Sequence, residues 1–247
     1  MRRFFTDQVD SKKDIAVISG SDAKHICDVL RLKKDTDIIL FDGTGMEYEA
    51  KILSVSSKRI SASIIRSIRS CKKESPVKII MAQALLKEKK MDVLIRHLTE
   101  LGLFRWHPFI AERSVARPDE KRLAVRKLRW ETIARESLKQ CRRSKIPEID
   151  ILPSFAQVLE AGRACDVRLI FYENETEALK TTILRLDIKK PGTIFAILGP
   201  EGGFDETEIQ KSVDYGFVSA TLGPRILRAE TAPIAALALA QHLFGDM

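Results

Sequence analysis

Two stretches in the last third of the chain decide its reading. They are Ile194-Phe195-Ala196-Ile197-Leu198-Gly199-Pro200-Glu201-Gly202-Gly203-Phe204 and Ala220-Thr221-Leu222-Gly223-Pro224-Arg225-Ile226-Leu227-Arg228-Ala229-Glu230-Thr231-Ala232. Each begins as a short apolar run, the pattern of a fully buried strand, and breaks at Leu-Gly-Pro. Glycine there lets backbone approach a ligand closely, and proline stiffens the bend. Behind the first bend, Asp205 and Glu208 have capping-box spacing before a helix. Behind the second comes an Ala-rich helix from Thr231 to Phe244, with Pro233 in its first turn, where a missing N–H costs little. Either bend alone reads as an ordinary βα turn. The matched pair predicts one ligand pocket at the carboxyl ends of a parallel sheet. The sequence contains neither G-x-x-x-x-G-K-[ST] nor G-x-G-x-x-G, so phosphate is not the expected handle. A neutral or cationic cofactor gripped by backbone fits better.

Working outward, 247 residues with 45% apolar content suit two domains with real cores. The net charge of +8 is unevenly placed: residues 1–72 carry +4, residues 73–150 carry +8 and residues 151–247 carry −4. A basic front and middle with an acidic, apolar end predict a polyanion on one side and a cofactor on the other. Cys27, Cys71, Cys141 and Cys165 are scattered, and His25, His97, His107 and His242 show no ligand spacing. Neither a disulfide framework nor a metal site is expected, and a reducing cytoplasm is the default. Met1-Arg2-Arg3-Phe4-Phe5-Thr6-Asp7 is basic but lacks the apolar stretch of a signal peptide. Ala232–Ala240 is apolar but too short to span a membrane.

Residues 1–72 read as a small β domain. Ile15–Ile18, Asp37–Phe41, Glu47–Val55 and Ile60–Arg69 are short runs rich in Ile and Val, and Asp42-Gly43-Thr44-Gly45 is a hairpin turn. Asp22–Leu32 has helical spacing at Ile26, Val29 and Leu30. Arg2, Arg3, Arg31, Lys33 and Lys34 are candidates for phosphate contacts, against the plainer reading of a solvated surface. A boundary is expected at Cys71–Pro76, leaving 73–247 as the second domain.

That domain opens with a βαβ pattern: Val77–Leu85, then Lys87–Leu101 with Met91, Leu94, Ile95, Leu98 and Leu101 at helix spacing and Gly102 as its stop, then Phe104–Ile110. Lys121–Lys145 is the most basic stretch, with ten Lys or Arg against two Glu. Trp130, Ala134, Leu138 and Cys141 form its apolar stripe. Arg135, Lys139 and Arg142 are expected on another face, where they would meet phosphate. Further strands at Val167–Tyr172, Ile194 and Val218 predict an α/β doubly wound domain.

The two bends, LGPEGGF and LGPRILRAETA, resemble the cofactor loops of SPOUT-class methyltransferases, whose loops form a trefoil knot. More narrowly the chain is similar to the RsmE family, which methylates N3 of a uridine in 16S ribosomal RNA of the small subunit. MRRFF, His25, VLRLKKD, LFDGTGMEYEA, KEKKMDVLIRHLTELG and Arg113-Ser114-Val115 extend the likeness over almost the whole chain. The family's Glu-x-x-x-Gln-x-x-Arg signature stands here as Glu136, Gln140 and Arg143, with Lys139 and Cys141 where the family usually has Glu and Ser. The resemblance implies a knotted α/β methyltransferase domain behind a PUA-like RNA-binding barrel, S-adenosylmethionine as methyl donor, and a homodimer. It implies that Leu198, Gly199, Pro200, Gly202, Leu222, Gly223, Ile226 and Leu227 surround the cofactor. Arg225 and Arg228 then become candidates to stabilise a uridinate. Glu230 is expected first of all to cap the following helix, and otherwise to place an arginine or act as base. Arg2, Arg3, Arg31, Arg135, Lys139, Arg142 and Arg143 become the RNA-contact candidates. A non-catalytic RNA-binding or ribosome-assembly protein on the same scaffold is the rival reading, and cofactor binding separates the two.

Overall fold

The computed structural model describes residues 1–6, 8–70, 74–87 and 89–247. The expected boundary at Cys71–Pro76 therefore falls partly outside the described residues. The chain groups into two compact units, one of Met1–Glu74 with Arg135–Ile146, the other of Ser75–Ala134 with Pro147–Met247.

The amino-terminal unit is a curled six-stranded sheet. Its strands are β1 (Arg2–Phe5), β2 (Gln8–Asp10), β3 (Ile15–Ser19), β4 (Asp37–Phe41), β5 (Met46–Val55) and β6 (Arg59–Arg69), in the order β1-β4-β5-β6-β3-β2. Among the described residues only β1 and β4 of this sheet pair in parallel; the other ladders are antiparallel. Inward residues such as Phe4, Ile18, Ile38, Leu40, Ile52 and Ile60 are buried and fill the concave side. The hairpin turn between β4 and β5 is organised by Asp42, whose Oδ1 accepts from Thr44 N–H and Oγ1 while Oδ2 accepts from Tyr48 Oη at 2.9 Å. Burial, aided by that carboxylate, pushes the Tyr48 phenol up to about 12. The expected helix over Asp22–Leu32 is α1 (Gly20–Lys24) followed by a π-helical turn, His25–Val29.

The second unit is built on β7 (Lys78–Ala84), β8 (Arg105–Phe109), β9 (Glu148–Ile149), β10 (Val167–Phe171), β11 (Thr193–Leu198) and β12 (Val218–Ala220). They form an all-parallel sheet in the order β12-β10-β11-β7-β8-β9. Its central strands read as continuous apolar runs because both faces are covered: Ile194 to Leu198 are all buried. The helices are α2 (Lys90–Glu100), α3 (Glu120–Cys141), α4 (Phe155–Gly162), α5 (Leu179–Leu186), α6 (Glu206–Asp214) and α7 (Ala232–Phe244). Met91, Leu94, Ile95 and Leu98 form the buried stripe of α2, and Gly102 with φ +88° ends it. Residues of α3 as far as Ala134 group with this unit and later ones with the amino-terminal unit. Trp130 of α3 packs edge-on against Trp106 at 5.1 Å and donates to Asp92 at 3.1 Å. A void of about 10 Å³ in this core has room for no more than a water.

His107 of β8 is buried and stacks on Phe195, with Nδ1 2.9 Å from the Asp150 carbonyl. A carbonyl only accepts, so Nδ1 carries the hydrogen. Burial pushes this imidazole below its usual value, against the weaker upward pull of Asp150. Below about pH 6.5 the unfolded chain therefore binds a proton that the folded chain refuses, until the lowered folded value is reached. The melting temperature is expected to fall with pH across that window. His107→Asn should flatten the slope, and an equal slope in wild type and variant would assign it to other groups.

Candidate functional site: a cleft lined by two backbone bends

Because all strands of the second sheet run the same way, the connections leaving β10, β11 and β12 emerge on one edge. They line a cleft of about 920 Å³ together with Lys90 from the start of α2. All eight residues expected to surround a cofactor, Leu198, Gly199, Pro200, Gly202, Leu222, Gly223, Ile226 and Leu227, border it, as do Arg225, Arg228 and Glu230.

The first bend is shaped by its glycines. A Cβ on Gly199 would stand 3.2 Å from the Phe204 ring, and one on Gly203, where φ is +68°, would strike Glu173 Oε1. From below, Gln83, fully buried in β7, donates its amide to the Gly199 carbonyl at 3.0 Å. Behind the bend the capping box of α6 forms as the spacing predicts. Asp205 accepts from Thr207 N–H, and Glu208 Oε2 accepts from Asp205 N–H at 3.1 Å. Glu208 is buried, and its Oε1 also accepts from Glu112 N–H.

The second bend turns at Gly223, where φ is +117° and nothing lies within 4 Å of a Cβ. Thr221 Oγ1 spans the turn, donating to Gly223 O and accepting from Gly223 N–H. Arg225, Ile226 and Arg228 are exposed. Neither arginine makes a side-chain hydrogen bond or ion pair among the described residues. Glu230 does not cap α7 as expected; the N-cap is Thr231, without a side-chain cap bond. The carboxylate is instead drawn to Lys90, whose Nζ lies 3.2 Å from Glu230 Oε2 and 3.2 Å from Glu201 Oε1. The hydrogen bond to Glu201, then the ion pair with Glu230, whose Oε2 has no hydrogen-bond partner among the described residues, raises the Lys90 ammonium. Partial burial pushes Glu201 up, but the bonds from Lys87 N–H and Lys90 outweigh it and hold the carboxyl below its ordinary value. Lys90, Glu201 and Gln83 were not singled out by sequence reasoning. The signal for Gln83 was a lone amide inside the apolar run Ile79–Leu86.

No helix among the described residues is long and apolar enough to cross a membrane, and no group of three or more His, Cys, Asp or Glu among them is placed to hold a metal ion.

The cleft has known counterparts. Residues 73–241 match the RNA methyltransferase domain family, and residues 18–65 match the RNA methyltransferase PUA domain family. The ribosomal RNA small subunit methyltransferase E of Bacillus subtilis is 32% identical over 96% of this chain and 94% of its own. The protein of the same name from Neisseria gonorrhoeae, solved bound to S-adenosyl methionine, superposes with a TM-score of 0.87 at 33% identity, covering 100% of this chain and 99% of that one. A Legionella pneumophila protein solved with bound SAM gives a TM-score of 0.88 at 30% identity over 99% and 98% of the two chains. The chain belongs to the ribosomal RNA small subunit methyltransferase E family.

Within this family member the expected RNA residues divide into two sets. Arg2, Arg31 and Arg142 are exposed. The other four are tied into the amino-terminal unit. Arg3 pairs with Glu47 at 2.6 Å, donates to the carbonyls of Leu138 and Arg143, and lies over the Phe41 ring. Arg135 stacks on Phe5 at 4.3 Å. Lys139 holds Asp22 at 2.6 Å and Glu136 at 2.7 Å. Arg143 is buried and grips Glu74 through Nη2 at 2.7 Å and Nε at 3.2 Å. The shared face expected for Arg135, Lys139 and Arg142 is also absent. The helix ends at Cys141, and Arg142 is left-handed with φ +64°.

Arg143→Ala would strand the Glu74 carboxylate, only 21% exposed. A loss of about 2–3 kcal/mol in denaturant unfolding is expected, below the ~3–5 of a fully buried pair. A variant as stable as wild type would return Arg143 to the set of surface cations.

Proposed function

We propose that this protein transfers a methyl group from S-adenosylmethionine to N3 of a uridine in 16S ribosomal RNA of the small subunit, acting in the cytoplasm. The observation that carries the reading is the convergence of both Leu-Gly-Pro bends on one cleft in a member of this family. The residues fit the cofactor: Gly199, Gly203 and Gly223 leave backbone open where a side chain would crowd or strain the bends, and no phosphate cradle is present. When bound, the cofactor supplies an electrophilic sulfonium methyl. Leu198, Gly199, Leu222, Gly223, Ile226 and Leu227 would hold its adenine and ribose, with Pro200 and Gly202 completing the first bend. The threading of these bends into a trefoil knot, which the family likeness implies, belongs to the same proposal.

Uridine N3 is protonated and a poor nucleophile until it loses that proton. Arg225 and Arg228, exposed beside the second bend and without a side-chain partner among the described residues, would stabilise the negative charge that develops on the base. Positioning of the two reactants then supplies much of the rate. Of the candidate cations, Arg2, Arg31, Lys33, Lys34 and Arg142 are exposed and would meet RNA phosphates. A homodimer belongs to the same reading. Ile226 is 83% exposed at the cleft rim, and Leu239 and Leu243 are exposed on α7, a helix whose Ala236, Leu237 and Ala240 are already buried. A second copy would cover that remaining apolar surface.

Calorimetric titration should show S-adenosylmethionine binding to wild type and none to folded Gly203→Ala, Gly199→Val or Gly223→Val. Wild-type affinity in those variants would remove the bends from the cofactor site. Mass spectrometry of ribosomal RNA from a deletion strain should lose one methyl-uridine, restored by the wild-type gene but not by a gene carrying both Arg225→Ala and Arg228→Ala. A non-catalytic RNA-binding protein would leave the methylation pattern unchanged. Light scattering should give twice the chain mass of 27.9 kDa, and a monomer at working concentration would remove the dimer.

A further inference from the structure

We infer that Lys90 is a positioning residue that locks the two bends of the cleft to one another, holding Glu201 of the first and Glu230 of the second on a single ammonium group. The inference rests on the reading of the cleft as a cofactor site. Nζ is 3.2 Å from an oxygen of each carboxylate, so the two carboxylates lie within twice that distance of one another. Neither is paired with any other cation among the described residues. Glu201 is also fixed from a third side, because Lys87 N–H donates to the same Oε1 at 3.1 Å. The entry to α2, the bend after β11 and the bend after β12 therefore meet at one nitrogen.

The side chains of Lys90, Glu201 and Glu230 are 32%, 23% and 33% exposed, so this is neither a dry core pair nor a freely solvated one. At such sites an attractive pair contributes modestly. The larger effect comes from removing the shared partner, since two uncompensated carboxylates would then push the bends apart. One positive charge against two negative ones also disqualifies Lys90 as a receptor for an anion. Arg225 and Arg228 keep that part of the work, and Lys90 serves geometry.

Calorimetry with S-adenosylmethionine tests this on wild type, Lys90→Met, Lys90→Arg and Lys90→Met combined with Glu230→Gln. Lys90→Met is expected to weaken binding on the order of tenfold, within the usual range of site-to-site coupling. Lys90→Arg should stay within about threefold, because it keeps the charge. Adding Glu230→Gln to Lys90→Met should recover affinity, because it removes the repulsion; a packing role for the lysine stem would instead make the losses add. Undiminished affinity in Lys90→Met, or a further loss in the double variant, overturns the inference. If Lys90→Met does not fold, Glu201→Gln and Glu230→Gln take its place. Coupling through Lys90 predicts a double-variant loss smaller than the sum of the two singles, and strict additivity overturns it. Failure of wild type to bind the cofactor would instead remove the reading of the cleft, a result distinguishable from any difference among the variants.

Discussion

The parallel pairing of β11 between β7 and β10 is the constraint from which the site follows. Ile194–Ile197 of β11 pair in register with Ile79–Ala82 on one side and with Val167–Ile170 on the other. Parallel strands of one sheet must all end on the same edge, so the bends that follow β11 and β12 cannot avoid each other. What the edge then presents is backbone. The bend glycines remove side chains from it, and Gln83 holds the Gly199 carbonyl in place from the neighbouring strand. The apolar strands provide rigidity, while the bends provide the chemistry that rigidity positions.

Much of this was legible in the sequence, because the signals were local. The apolar runs fixed the central strands, Asp205 and Glu208 announced a capping box that forms, and Met91, Leu94, Ile95 and Leu98 announced the buried face of α2. Elements with weaker local signals were missed. β1 is Arg-Arg-Phe-Phe, which does not alternate as a half-buried strand should; Arg3 is drawn inward only because Glu47 and two carbonyls wait there. β9 is two residues long. α4 was overlooked although Ser154 and Gln157 form a complete capping box. At the site, the bends were legible and the ion network was not. Lys90, Glu201 and Glu230 are far apart in the chain, and only the register of the sheet brings them to one point.

The basic helix illustrates a different limit. A count of charges in Lys121–Lys145 cannot distinguish cations facing solvent from cations already bound. Lys139 is the clearest case. It takes two carboxylates, Asp22 and Glu136. Arg143 is committed to Glu74 and Arg135 to the Phe5 ring. Such contacts hold the amino-terminal unit together internally and leave fewer charges for a polyanion than the composition suggests. Removing them would change the folded state first and nucleic-acid affinity only as a consequence.

The same accounting of occupied groups bears on what kind of ligand the cleft suits. Helix N-termini at the carboxyl edge of a parallel sheet are natural anion sites, since free N–H groups and the helix dipole both favour negative charge. At α6 that position is filled from within. The first turn of α6 is satisfied by Asp205 and Glu208, and Glu206 adds a third carboxylate there. The approach to α2 is satisfied by Glu201 through Lys87 N–H. Proline stands in the first turn of α7, removing a donor altogether. A phosphate entering at α6 would have to displace carboxylates that the chain itself supplies. Exposed backbone in the two bends remains, with four carboxylates around it, Glu173, Glu175, Glu201 and Glu230, against the three cations Lys90, Arg225 and Arg228. That surface suits a ligand recognised by its flat rings and hydrogen-bonding edges and bearing positive charge, which describes a sulfonium nucleoside better than a nucleotide.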